Sequence, residues 1–134
     1  MSNKKKNTIV SPTEKEFKEY LHQHLPANIE IHCKVRFADV LSSDVTNELN
    51  IWKDKKIFMM HVDYTLVIRE TQEIILAIEL DDKSHARKKT IINDAKKNEM
   101  LAKSKVYYAR IQVDKMYDPT IIKKIVDFCK RKTT

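Results

Sequence analysis

The chain has 134 residues, 42% of them hydrophobic, with no glycine, 3 prolines and 2 cysteines. That length supports one compact α/β domain and hardly a second, and a chain without glycine has neither a glycine-rich phosphate loop nor a dinucleotide-binding fingerprint. An excess of 26 Lys and Arg over 19 Asp and Glu gives a formal charge of +7, which favours an anionic partner and excludes little else.

Residues 1–10 are polar and basic and read as a flexible arm. Residues 11–130 read as the domain and 131–134 as a tail. The runs Lys4 to Lys6 and Lys130 to Lys132 supply much of the excess charge and read as solvated ends. Ser11-Pro12-Thr13-Glu14 is a capping box, with Pro12 at the first helical position and Glu14 reaching back to the open amide. The helix it opens buries Phe17 and Leu21 and ends at Pro26. Ile29 to Val35 alternates Ile, Ile, Cys, Val against Glu, His, Lys, which is a strand. Arg36 to Leu41 reads as a short helical turn. Ser42 to Lys56 shows no period and reads as a loop, with Trp52 first as a packing anchor and second as a wedge against a base, and Lys53, Lys55 and Lys56 as candidate phosphate contacts. In the absence of glycine, Asn, Asp and Lys are left to make the turns.

Residues 60–68 and 74–80 form a β-hairpin about the polar break Arg69 to Glu73. Alternation points His61, Asp63, Thr65 and Val67 one way and Val62, Tyr64, Leu66 and Ile68 the other, giving one polar face and one core face. On the second strand Ala77, Glu79 and Asp81 oppose Ile74, Leu76, Ile78 and Leu80. A register that sets Asp63 beside Glu79 gathers two or three carboxylates at the strand ends. Such a cluster repels itself until a divalent cation sits in it, and all-oxygen ligands suit Mg²⁺ or Mn²⁺. The plainer reading is that these acids mark solvated strand ends.

A basic turn follows, with Lys83, Arg87, Lys88 and Lys89 around His85, placed where phosphates flanking the acids would lie. A helix over 88–103 puts Asp94 and Lys97 on one face and is expected to bury Ile91, Ala95 and Ala102 on another. Val106 to Val113 is a strand. Asp118 caps a last helix with Pro119 at its first position and a broad apolar face. No stretch approaches the roughly eighteen apolar residues of a membrane span, and no signal-peptide pattern opens the chain. A cytoplasmic protein with no membrane partner is the expectation, Cys33 and Cys129 remaining buried thiols.

The segments Val62-Asp63-Tyr64-Thr65-Leu66 and Ile78-Glu79-Leu80-Asp81-Asp82-Lys83-Ser84-His85 resemble the PD-(D/E)xK phosphodiesterase superfamily. More narrowly, the chain is similar to bacterial domains related to the very-short-patch mismatch repair endonucleases. Glu14 and Phe17, His61 to Tyr64, Ile78 to His85, and Asp94 with Lys97 match that branch in order, over about residues 11–113. The resemblance implies a restriction-endonuclease-like αβββαβ core, here with a C-terminal helix, a mixed central sheet and flanking helices. It implies metal-assisted hydrolysis of nucleic acid, DNA first, with Asp63, Glu79 and the Leu80 carbonyl holding Mg²⁺ or Mn²⁺ and Glu14 as an outer contact. A homodimer is one arrangement that would cut both strands.

One departure stands out. The superfamily places a lysine two residues after the acid, where this chain has Asp81. His85 is the first substitute base and Lys97 the second, with Asp81 left to bind a second ion or orient His85. Two other readings stand beside the nuclease: an inactive nuclease-fold domain that binds nucleic acid, and a zinc site from His61, Asp63 and His85.

Overall fold

The computed structural model describes residues 7–50, 53–82 and 88–133, with the backbone alone for 88–94. Helix α1 (Pro12–His24) opens on the capping box: the Glu14 amide donates to the Ser11 hydroxyl at 3.2 Å, and the Ser11 amide donates to Glu14 Oε1 at 2.9 Å. Phe17 and Leu21, one turn apart, are fully buried. The helix stops at Leu25, ahead of Pro26, whose neighbour is pushed out of helical geometry.

Strand β1 (Ile29–Arg36) runs into three short helices, α2 (Phe37–Val40), α3 (Ser43–Glu48) and α4 (Lys55–Phe58). The loop expected over Ser42 to Lys56 is therefore partly helical. Ser42 caps α3, its hydroxyl accepting from the Val45 amide at 3.4 Å, and Val45 and Thr46 are buried beneath it. Elements this short span too few turns for a period to show. Trp52 lies outside the described residues, and Lys53, Lys55 and Lys56 are exposed.

The hairpin strands are β2 (His61–Ile68) and β3 (Ile74–Asp81). Helix α5 (Lys88–Lys103) then crosses to β4 (Tyr107–Gln112), and α6 (Pro119–Lys132) closes the fold. The four strands form one mixed sheet in the order β1-β2-β3-β4, antiparallel except for the parallel β3/β4 pair, which requires the crossover that α5 supplies. Flanking helices and a C-terminal helix complete the α/β architecture, in the αβββαβ order of elements. Helix α6 begins as expected, Asp118 accepting from the Thr120 amide at 2.9 Å, and runs to Lys132, into the stretch read as tail.

Apolar clusters cover both faces of the sheet. Phe17, Leu21, Tyr64, Leu66, Ile78, Ile122, Ile125 and Cys129 belong to the cluster that α1 and α6 cover. Phe37, Val40, Val45, Val62, Ala77, Leu101 and Val106 form the other, under α2, α3 and α5. This corrects the one-sided hairpin: Tyr64, Thr65, Leu66 and Val67 are buried in succession, as in a central strand, and polarity survives only at the His61 and Asp63 end. The expected alternation also breaks in β3. The ladder shifts between Leu66 and Val67, leaving Ile75 as an extra residue, so Ile75 joins the first cluster and Ile74 packs against the second.

Helix α5 is rotated from its expected setting. Ala95 and Ala102 are exposed, while Leu101 is fully buried and Lys97 and Met100 are partly so. The aliphatic stem of Lys97 lies on the sheet side while its ammonium reaches a carboxylate, so a counting rule that treats lysine as outward misplaces this face. Ile91 falls among residues whose side chains are outside the description. Among the described residues no helix is long and apolar enough to cross a membrane.

Candidate functional site

The hairpin builds the centre of the site. One step past the Tyr64 and Ile78 pair, the antiparallel ladder stands Asp63 across from Glu79, close enough for the Asp63 charge to act on the Glu79 carboxyl. Asp63 Oδ2 accepts from the Leu80 amide at 2.9 Å, and Oδ1 accepts from Lys34 Nζ at 3.1 Å. Glu79 Oε1 accepts from Lys97 Nζ at 2.6 Å, and both of those side chains are only 13% exposed. Lys97 Nζ also approaches the His61 carbonyl at 3.5 Å. Burial pushes the Glu79 carboxyl up, to about 7, against the pull of Lys97; the Asp63 charge pushes the same way as burial.

A second ammonium flanks Asp63. Lys34 Nζ lies 2.6 Å from Glu14 Oε2 as well as 3.1 Å from Asp63 Oδ1, bridging α1 and β2 from its place in β1. Glu14 therefore does two jobs: one oxygen closes the capping box and the other holds Lys34. Burial alone would raise the Glu14 carboxyl, but Lys34 and the Ser11 groups outweigh it and hold it below its ordinary value. Burial likewise opposes the Lys34 charge, and its bonds to Glu14 and Asp63 win, raising it. Tyr64 fixes the base of α1 from the core side, its hydroxyl donating to the Glu14 carbonyl at 2.7 Å. A cleft of about 700 Å³, walled by Ile9, Val10 and Pro12, opens on Glu14 and Lys34.

Glu14, Asp63, Glu79 and Lys97 thus come together. Asp81 goes elsewhere: its oxygens take Arg110 Nη2 at 2.7 Å and Gln112 Nε2 at 3.0 Å, both on β4. These contacts tie β3 to β4; His85, which Asp81 was expected to orient, lies outside the described residues. Leu80 meets Asp63 through its amide. His61 is exposed. Lys83, His85 and Arg87 lie outside the described residues, and Lys88, Lys89 and Asp94 stand on α5 with their side chains outside the description.

Sequence reasoning missed Lys34, Arg110 and Tyr108. In the sequence Lys34 is one more polar residue of β1; only the β1/β2 register, Cys33 opposite Tyr64 and Val35 opposite Val62, sets it beside Asp63. Arg110 needs the parallel β3/β4 register in the same way. The Tyr108 hydroxyl is buried with no hydrogen-bond partner among the described residues. Burial first, then the charges of Glu79, Asp63 and Asp81, hold its proton on.

The donor chemistry fits a hard divalent cation. Asp63 and Glu79 are oxygen donors whose mutual repulsion a cation would relieve, and Mg²⁺ typically takes one or two protein carboxylates and completes its shell with water. Among the described residues no three His, Cys, Asp or Glu side chains group as a metal site by themselves; a zinc triad would need His85.

A family model described as "Protein of unknown function (DUF2726)" matches residues 6–128. No curated protein and no solved structure matches the chain.

Proposed function

The chain belongs to the DUF2726 family, whose function is unassigned, and from the chemistry of its acidic cluster we propose that it is a metal-dependent phosphodiesterase acting on nucleic acid, DNA first. One observation carries the reading: two facing carboxylates, Asp63 and Glu79, with a partly buried lysine at 2.6 Å from Glu79. Glu79 and Lys97, each 13% exposed, form a pair that costs desolvation and contributes little net stability against an apolar alternative. Charged groups retained under that cost are more simply explained by chemistry than by packing. The element order and the mixed sheet are those implied by the resemblance to the PD-(D/E)xK superfamily.

Asp63 and Glu79 would hold Mg²⁺ or Mn²⁺, which when bound polarises the phosphate and makes a water acidic. Lys97 supplies from α5 the positive charge that the superfamily takes from the strand position occupied here by Asp81. Its Nζ orients the attacking water or steadies charge on the phosphoryl oxygens. His85 takes the water's proton, and Lys83, Arg87, Lys88 and Lys89 hold the flanking phosphates. Arg110 and Gln112 leave Asp81 a structural role.

A binding-only domain is the second reading, favoured by the fact that Lys34 and Lys97 already neutralise two of the three clustered carboxylates. Labelled duplex, mismatched, single-stranded and branched DNA and RNA, incubated with Mg²⁺ or Mn²⁺, separate the two. Cleavage by the wild type that Asp63→Asn and His85→Ala each abolish is the expected result. Binding without cleavage by the wild type would replace the nuclease with the binding domain.

A further inference from the structure

Lys34 has two features that an ordinary strand lysine lacks. Its φ is 57°, a left-handed conformation unfavourable for any residue with a Cβ, in the middle of a strand whose neighbours Cys33 and Val35 both keep their ladder partners. Its Nζ lies between two carboxylates from different elements, 2.6 Å from Glu14 Oε2 and 3.1 Å from Asp63 Oδ1. A local backbone distortion that ends with an ammonium bridging two acids is over-determined by its surroundings, the circumstance in which strain marks a functional position.

The layout of the acids gives the position its meaning. Asp63 is shared: it faces Glu79 through the hairpin and Glu14 through Lys34. A carboxylate shared between two others is how a pair of divalent ions about 4 Å apart is held in two-metal phosphodiesterases. Here the place between Glu14 and Asp63 contains an ammonium. With all five side chains ionised, Glu14, Asp63 and Glu79 against Lys34 and Lys97 leave one net negative charge, which a single divalent ion reverses to one positive. Two ions would leave three positive charges beside a Glu79 and a Lys97 that are each 13% exposed.

Resting on the metal-site reading above, we propose that Lys34 stands in for a second divalent ion, so that the site takes one Mg²⁺ or Mn²⁺, on the Asp63 and Glu79 side, and keeps a built-in cation on the Glu14 side. Hydrolysis then follows one-ion chemistry, with Lys34 fixing Asp63 in place.

Mn²⁺ titration of the intact protein, followed by calorimetry and by the paramagnetic resonance of free Mn²⁺, counts the ions without any substrate. Wild type should bind one per chain, and Lys34→Arg should also bind one. Lys34→Gly, which accepts the left-handed backbone without strain and removes the ammonium, should gain a second, weaker site; circular dichroism confirms that it is folded. Two ions on the wild type, or a single ion at unchanged affinity on Lys34→Gly, overturns the proposal. No binding by either protein removes the metal site and the proposal with it. One ion on a wild type that cuts nothing defeats the nuclease alone and supports the placeholder.

Discussion

Glu79 concentrates the site's electrostatics in one residue. Its carboxyl, pushed up to about 7 chiefly by burial, is protonated in the folded chain over a range where the unfolded chain, near the ordinary 4.5, has lost its proton. The folded state therefore binds more protons between pH 4.5 and about 7, and this residue's contribution to stability falls as pH rises through that window. Glu14 has the opposite sign: held below 4.5, it contributes stability above its ordinary value that is lost as acid protonates it. Urea midpoints at pH 5 and pH 8 should show Glu79→Gln gaining on the wild type at the higher pH, and an equal difference at both would remove Glu79 as the source. Lys97→Met is the complementary change. It strands a buried carboxylate, a loss of roughly 3 to 5 kcal/mol when the charge must stay, but Glu79 can take a proton instead. The destabilisation should thus be larger at pH 8 than at pH 5, with cleavage lost at both. Similar destabilisation at the two pH values would mean that the Glu79 charge is not what Lys97 supports.

The elements show which parts of this arrangement a sequence can reveal. Local rules suffice for α1, α6 and the existence of the hairpin, because a capping box, an Asp-Pro start and two apolar runs about a polar break act within a few residues of each other. Ser11→Ala tests the first directly: losing the hydroxyl that accepts from the Glu14 amide should cost about 1 kcal/mol in thermal or urea unfolding. Mn²⁺ affinity should be untouched, since Glu14 still meets Lys34 through Oε2; a coupled loss of affinity would show that the cap orients the site. The facing of Asp63 and Glu79 was legible for the same reason, needing only alternation and a hairpin. Lys34 and Arg110 were not, because each depends on the register of strands brought together from distant parts of the chain. The Ile75 bulge and the α5 setting were hidden differently. An extra residue in a run of Ile-Ile-Leu-Ala-Ile leaves the composition unchanged while reversing which faces its flanks occupy. A lysine with a buried head does not register as an inward residue in any hydrophobic pattern.

The whole molecule is a sheet between two apolar layers, and the layers do different work. Phe17 packs edge-on to Tyr64 at 5.4 Å between ring centroids, and Tyr64 in turn holds the Glu14 carbonyl, so the first layer anchors α1. The second layer seats α5 through Leu101, one turn along the helix from Lys97. Truncating either fully buried side chain to alanine leaves a cavity and should cost ~2–5 kcal/mol, which circular dichroism during urea unfolding measures. The functional consequences should diverge. In Leu101→Ala, relaxation of α5 into the cavity moves the Lys97 ammonium away from Glu79, and a displacement of about 1 Å at such a group is enough to lower a rate a hundredfold. Assayed where each variant remains folded, Leu101→Ala should therefore lose more cleavage, and more of the Glu79 pH dependence, than Phe17→Ala, whose cavity opens on the opposite face. If Leu101→Ala retains both while Phe17→Ala loses them, the site depends on α1 and Glu14 rather than on the crossover helix, and the lysine that completes it is Lys34.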